Sequence, residues 1–194
     1  AFPVKPRVTM DLRDGWLFQA DEGDAGEREQ WPVAGLPDGK PVSVPHTWNV
    51  EAGWEDYRGA GWYEYRFAAD PAWAGKTVRV MFEAVYRDAA VWLNGVLLGS
   101  HTGSGYTSFA FDMSSGLRFG QPNRLVVRVD NRGSEQALPC ARSFDWADDG
   151  GLIRGVKLIV TGKQAIDCAQ VHAVPEFPSE PDSPVRGRIY ATLR

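Results

Sequence analysis

Short runs of alternating apolar and polar residues, each closed by Gly, Pro, Asn or Asp, constrain this chain more than any other feature. From Trp62 to Phe67 the side chains of Tyr63, Tyr65 and Phe67 share one face. Between Thr77 and Val85, Val78, Val80, Phe82 and Ala84 line one side, with Arg79 and Glu83 on the other. Ala90 to Leu93 runs into Asn94-Gly95, a strong two-residue hairpin signal, and Val96 to Leu98 continues beyond it. Phe109 and Phe111 share a face within Tyr106 to Met113. Leu125, Val127 and Val129 alternate with Arg128 and Asp130, and Val156, Leu158 and Val160 close the series. A period of two marks half-buried strands, because successive side chains point to opposite faces. No window carries a convincing apolar stripe at helical spacing. Strands recurring about every eight to fifteen residues argue against a βαβ architecture and its dinucleotide sites. They predict an all-β antiparallel sandwich or barrel, with a jelly roll the natural choice for about eight strands.

The rhythm breaks near Gly162-Lys163, so residues 1–162 are expected to form the jelly-roll β-sandwich. Beyond the break come a strand-like piece, Cys168 to Val174, and a Pro-rich run, Pro175 to Pro184. In the last stretch Val185, Gly187, Ile189, Ala191 and Leu193 alternate with Arg186, Arg188, Tyr190, Thr192 and Arg194. A strand with one apolar face needs a second sheet to cover it. Residues 163–194 supply none, and are expected to be the incomplete beginning of a second β-domain.

With 194 residues the chain can bury a real core without disulfides or a metal. The 21 Lys and Arg against 25 Asp and Glu give a net charge of −4, which argues against a nucleic-acid partner. No apolar run approaches the roughly 18–20 residues of a membrane span. The first residue is Ala1 rather than Met. The expectation is a removed signal peptide or a trimmed chain, with a secreted or periplasmic setting favoured over a cytoplasmic one. Cys140 and Cys168 are too few for a disulfide scaffold or a zinc site, though they could form one bridge.

His46, His101 and His172 are far apart and show no metal-ligand spacing, and no nucleophile elbow, phosphate loop or dinucleotide fingerprint is present. A glycosidase needs two carboxylates flanking the bond it cleaves. The adjacent pairs Asp148-Asp149 and Glu55-Asp56 read instead as solvated loops, since neighbouring side chains in an extended segment point apart. Nothing here forms a self-contained catalytic site, and no cofactor or metal is implied. The 8 Trp, 6 Tyr and 9 Phe offer flat faces on which sugar rings stack, or they simply fill a β core.

Several segments, in order, resemble the sugar-binding domain of family 2 glycoside hydrolases, the family of β-galactosidases, β-glucuronidases and β-mannosidases. Val44-Pro45-His46-Thr47-Trp48-Asn49 resembles its Pro-His-x-Trp-Asn loop, and Gly59-Ala60-Gly61-Trp62-Tyr63 its Gly-x-x-Trp-Tyr. Phe82-Glu83-Ala84-Val85 and Ala90-Val91-Trp92-Leu93-Asn94-Gly95 match its Phe-Glu-x-Val and Val-x-x-Asn-Gly hairpin. His101, Gly105-Tyr106-Thr107-Ser108-Phe109 and Asn123-Arg124-Leu125 follow, and Gly150-Gly151-Leu152-Ile153-Arg154 resembles the Gly-Gly-Ile-x-Arg signature. The spacing from His101 to Tyr106 is a residue longer than in many members.

The resemblance implies a non-catalytic domain of an enzyme that hydrolyses O-glycosidic bonds, a β-galactosidase-like one first. Its catalytic glutamates would lie on a downstream barrel that this chain does not include. The tail resembles the start of the immunoglobulin-like domain that follows in the family. The implied partners are a carbohydrate substrate and those downstream domains. By position before the Gly-Gly signature, Asp145 is the acidic residue that contacts substrate hydroxyls in several members, and Trp146 would wall the site. His46 and Trp48 are expected to shape the end of the fold, and are the other candidates for lining the pocket. Arg154 is expected to pair with a nearby carboxylate. An autonomous carbohydrate-binding module and a purely structural or interface sandwich are the competing functions.

Overall fold

The computed structural model describes residues 7–133, 146–166, 168–176 and 186–193. The chain divides into two compact units, Ala1–Gly162 and Lys163–Arg194.

Ten strands build the described part of the first unit. They are β1 (Val8–Asp11), β2 (Trp16–Asp21), β3 (Lys40–Val42), β4 (Ala60–Ala68), β5 (Thr77–Phe82), β6 (Asp88–Leu93), β7 (Val96–His101), β8 (Phe109–Asp112), β9 (Pro122–Asp130) and β10 (Val156–Thr161). They pair into a four-stranded sheet, β1-β10-β5-β8, and a six-stranded sheet, β3-β2-β4-β9-β6-β7. Every pairing between these strands is antiparallel. Val78, Val80, Phe82, Val156, Leu158 and Val160 of the small sheet join Trp16, Phe18, Tyr63, Val91, Leu125, Val127 and Val129 of the large one in a single buried cluster. The unit is therefore a β-sandwich whose core lies between the inner faces of two sheets.

The large sheet is buried on part of its outer face as well. A short helix, α1 (Trp31–Ala34), lays Trp31 edge-on to Trp62 at 5.7 Å, and Trp62 stacks on Trp92 at 5.4 Å. Asp21 ties this layer down: its carboxylate accepts from the Trp62 indole N–H (2.9 Å) and from the backbone amides of Ala25 (2.7 Å) and Gly26 (2.9 Å). The Asn94-Gly95 turn joins β6 to β7 with both residues at positive φ, 52° and 85°, as a two-residue hairpin requires.

In the second unit β11 (Ala169–Glu176) pairs antiparallel with β12 (Arg186–Leu193), from Ala169 opposite Leu193 to Glu176 opposite Arg186. Val171, Ile189 and Leu193 lie on one face of this hairpin and are exposed. Cys168 is exposed, while Cys140 falls outside the described residues. No helix among the described residues is long and apolar enough to cross a membrane.

Candidate functional site

The strands β4 and β9 pair Ala60 with Asp130 at one end of the sandwich, and two buried asparagines organise the loops beyond it. Asn49 donates to the carbonyls of Trp54 (3.0 Å), Glu55 (3.1 Å) and Tyr57 (3.0 Å). Its side-chain oxygen accepts from the Gly150 amide at 2.8 Å and from Asn131 at 3.3 Å. Asn131 donates to the carbonyls of Asp148 (2.8 Å) and Tyr57 (3.2 Å) and accepts from the Gly59 amide (2.9 Å). Three loops, around residues 49–59, 131 and 148–150, thus share one buried amide pair. Both side chains are buried, and the bonds to the Gly59 and Gly150 amides are buried as well, where an unmade one would cost about 1–3 kcal/mol.

Two glycines then let the chain pass close to the core. A Cβ at Gly150 would stand 2.0 Å from the Trp48 ring, and one at Gly151 would stand 2.2 Å from the His46 carbonyl oxygen. Gly151 exchanges both backbone bonds with Tyr86, each at 2.9 Å.

On the outer side of this bridge lies an aromatic and acidic surface. The Tyr86 hydroxyl donates to Asp148 Oδ1 at 2.5 Å, and Arg58 approaches the other carboxylate oxygen at 3.7 Å. Tyr86 packs against Tyr106 at 5.4 Å, and Tyr106 meets Trp146 edge-on at 5.5 Å. The Trp146 indole N–H donates to the Tyr106 hydroxyl at 2.9 Å, and Trp146 stays 47% exposed. Burial raises the Tyr86 hydroxyl pKa well above its ordinary value, and the hydrogen bond to Asp148 adds to the effect. Burial also raises that of Tyr106, with Asp149 and Asp148 reinforcing it against the Trp146 hydrogen bond. Both phenols stay neutral at physiological pH. Tyr86 is fully buried beneath this layer, so what reaches the surface is the rings of Tyr106 and Trp146 and the partly exposed carboxylates of Asp148 and Asp149, which is recognition chemistry for a polyhydroxylated ligand.

The sequence-derived candidates fall into different layers. Asp145 lies outside the described residues. Trp146 is at the surface, beside Tyr106. Trp48 is a correction: it is fully buried and stacked on Phe18 at 5.6 Å, so it has no face to present to a sugar. His46 stands beneath Gly151, its ring nitrogens 2.7 Å from the Tyr63 hydroxyl and 2.8 Å from Glu51 Oε1, with a side chain only 10% accessible. Arg154 is exposed and makes no salt bridge to a carboxylate among the described residues; the nearby Glu83 bonds to Lys157, and the Arg154 charge only helps to hold the Glu83 pKa down. Asp148 is also corrected: it is not merely solvated but held by Tyr86 and Arg58.

Sequence reasoning missed Tyr86, Asn49 and Asn131 as site builders. Of these, Tyr86 stands in no motif string, and the partners of the asparagines lie up to 101 positions away. Among the described residues no group of three or more His, Cys, Asp or Glu is placed to hold a metal ion.

Comparison with known proteins fits this geometry. The sequence model described as "Glycosyl hydrolases family 2, sugar binding domain" matches residues 10–161. A β-galactosidase of Bacteroides ovatus is 35% identical over 170 residues, covering 82% of this chain and 19% of its own length. A β-glucuronidase of Bacteroides fragilis is 33% identical over 97% of this chain and 26% of its own. The solved structure of a Ruminococcus gnavus β-glucuronidase superposes with a TM-score of 0.82 at 26% identity, over 99% of this chain and 34% of that one. The chain therefore spans about a fifth to a quarter of the length of these curated relatives.

Proposed function

The chain belongs to the sugar-binding domains of family 2 glycosyl hydrolases, and from that premise we propose that it forms one wall of the substrate pocket in an enzyme that cleaves β-glycosides, β-galactosides first. The observation that carries this reading is the exposed Trp146 indole, fixed by Tyr106 and following Asp145 directly in sequence. An indole face stacks on the C–H face of a sugar ring, and a carboxylate accepts hydrogen bonds from two adjacent hydroxyls. Bond cleavage needs a separate pair of carboxylates on either side of the glycosidic oxygen. These belong to a downstream barrel of the same protein. Residues 163–194 open the immunoglobulin-like domain that connects the two. The apolar face formed by Val171, Ile189 and Leu193 supports that reading, because such a face needs a second sheet.

The module's contribution is orientation rather than chemistry. A substrate misplaced by about 1 Å loses about a hundredfold in rate, so one wall matters even when it carries no catalytic group. The test is an NMR titration of this chain with galactose, glucuronate and mannose, following the Trp146 indole N–H. Galactose is expected to shift that signal most, and Asp145→Ala to abolish the shift. A larger response to glucuronate would reassign the substrate. If no sugar moves the signal, the wall does not bind alone. If the whole enzyme's KM and kcat also ignore Asp145→Ala and Trp146→Ala, the domain is purely structural.

A further inference from the structure

Six residues along β4 and β9 from the sugar end, about 20 Å at strand rise, the register places Arg66 directly opposite Arg124. Like charges opposite each other on one face of a sheet repel, so this pair needs a reason. Part of it is Glu64, whose carboxylate has no solvent exposure. Its Oε1 engages the Nε edge of Arg66 and lies 3.6 Å from Arg124 Nε, while Oε2 accepts the Leu36 amide at 3.1 Å. A third guanidinium, Arg118, has no carboxylate partner among the described residues. The three arginines line a cavity of about 320 Å³ whose lining holds no carboxylate. Three guanidinium groups therefore share this pocket, and only two of them lie beside the one buried carboxylate, Glu64.

The remaining hydrogen-bonding groups are already committed in a way that fixes the rim. Asn94 Oδ1 accepts the Arg124 amide at 2.9 Å, and its amide nitrogen donates to Gly116 O and Asn123 Oδ1, both at 2.9 Å. Asn123 accepts the Arg118 amide and donates to the Arg118 carbonyl, both at 2.9 Å. Each asparagine thus pins the backbone of one pocket arginine. Arg124 spends Nη1 on the Val33 carbonyl, so among the described residues its Nη2 stays uncommitted, and Arg66 keeps both of its Nη groups. What is left over is the Nη pair of Arg66, a guanidinium fork that matches the oxygens of a carboxylate, sulfate or phosphate, and the single Nη2 of Arg124 beside it.

We propose that this pocket is an oxyanion-binding site, separate from the sugar end, that takes a sulfate, phosphate or carboxylate group either as the free ion or carried on a saccharide. Oxyanion binding relieves the repulsion between Arg66 and Arg124 that Glu64 alone leaves half compensated. Because the contacts are partly exposed, affinity falls with ionic strength.

The experiment is an NMR titration of the whole chain with sodium sulfate, sodium phosphate, glucose 6-sulfate and glucuronate, each against sodium chloride of matched ionic strength and against neutral glucose. The expected result is a shift of the Arg124 backbone and Asn123 side-chain amides beyond that of chloride, with Trp146 unmoved by sulfate and phosphate. Arg118→Gln and Arg66→Gln, which keep the side-chain stems, should each weaken binding about tenfold while near-ultraviolet circular dichroism stays unchanged. Tighter binding of glucose 6-sulfate than of sulfate assigns the site to a saccharide-borne group; equal affinity assigns it to the free ion. Shifts no larger than those of chloride would overturn the proposal. So would oxyanion affinity that survives the Arg66→Gln/Arg118→Gln double variant.

Discussion

At Gly151 the constraint is an atom that must not be there. A Cβ would meet the His46 carbonyl oxygen at 2.2 Å and the Tyr63 hydroxyl at 2.9 Å, at a φ of +145° that L residues rarely adopt. Gly151→Ala is therefore expected to cost about 3 kcal/mol, through overpacking and backbone strain together, measured as a shift in the urea midpoint. The sequence shows the Gly-Gly pair as a string, but not the carbonyl oxygen that makes the second glycine obligatory. The same blindness explains Trp48 and His46. A Pro-His-x-Trp-Asn string names residue types suited to sugar contact, yet which of them faces outward depends on where Phe18 and Tyr63 come to rest. Trp48 stacks inward on Phe18, while His46 spends both nitrogens on Tyr63 and Glu51.

At the level of elements, alternation was a dependable guide wherever one face met the core. Val78, Val80 and Phe82 are all buried, as are Leu125, Val127 and Val129, and the Asn94-Gly95 turn stands where its residue types demand. Alternation was less informative on β4, whose second face carries Trp62 and Glu64, both buried as well. That face is covered by α1, four residues long with Pro32 in its first turn, too short to leave a helical stripe in the sequence. The strands β1 and β3, four and three residues long, were likewise too short to stand out. The covering layer carries real stability. Trp31→Ala should uncover Trp62 and cost about 3 kcal/mol, read as a lower urea midpoint with an increased exposure of tryptophan to iodide quenching. Gly95→Ala should cost about 1–2 kcal/mol, because φ is 85° and the new Cβ would press on Val33 at 3.0 Å.

For the molecule as a whole, the titrating groups bound the pH range in which the fold is strongest. On the acid side, the hydrogen bond from Lys157 holds the Glu83 carboxyl pKa below its usual value. Burial pushes Asp130 upward, but its bonds to Arg132 and the charge of Arg128 outweigh it and hold the group low. A carboxylate with a depressed folded pKa stabilises above its unfolded value, and that contribution is lost as pH falls through the folded one. Stability should therefore decline below about pH 4. Arg132→Gln should flatten that limb, as urea titrations from pH 3 to 7 would show. On the alkaline side burial pushes Tyr57 up to about 12, and Tyr63 and Tyr86 well above 10.0. Their contribution is complete below pH 10 and is lost as pH rises from there toward the folded values.

The amide pair of Asn49 and Asn131 has a further consequence, for how the molecule breathes. Asn131 holds the Gly59 amide across 72 positions and Asn49 holds the Gly150 amide across 101. Neither loop can open without breaking bonds that the other also depends on. The two amide protons should exchange with deuterium through one shared opening, with equal free energies and equal denaturant dependence. Asn131→Ala should release both together. A ligand arriving at this end of the sandwich then meets loops whose entropy was surrendered when the domain folded, so little of its binding energy goes into ordering them.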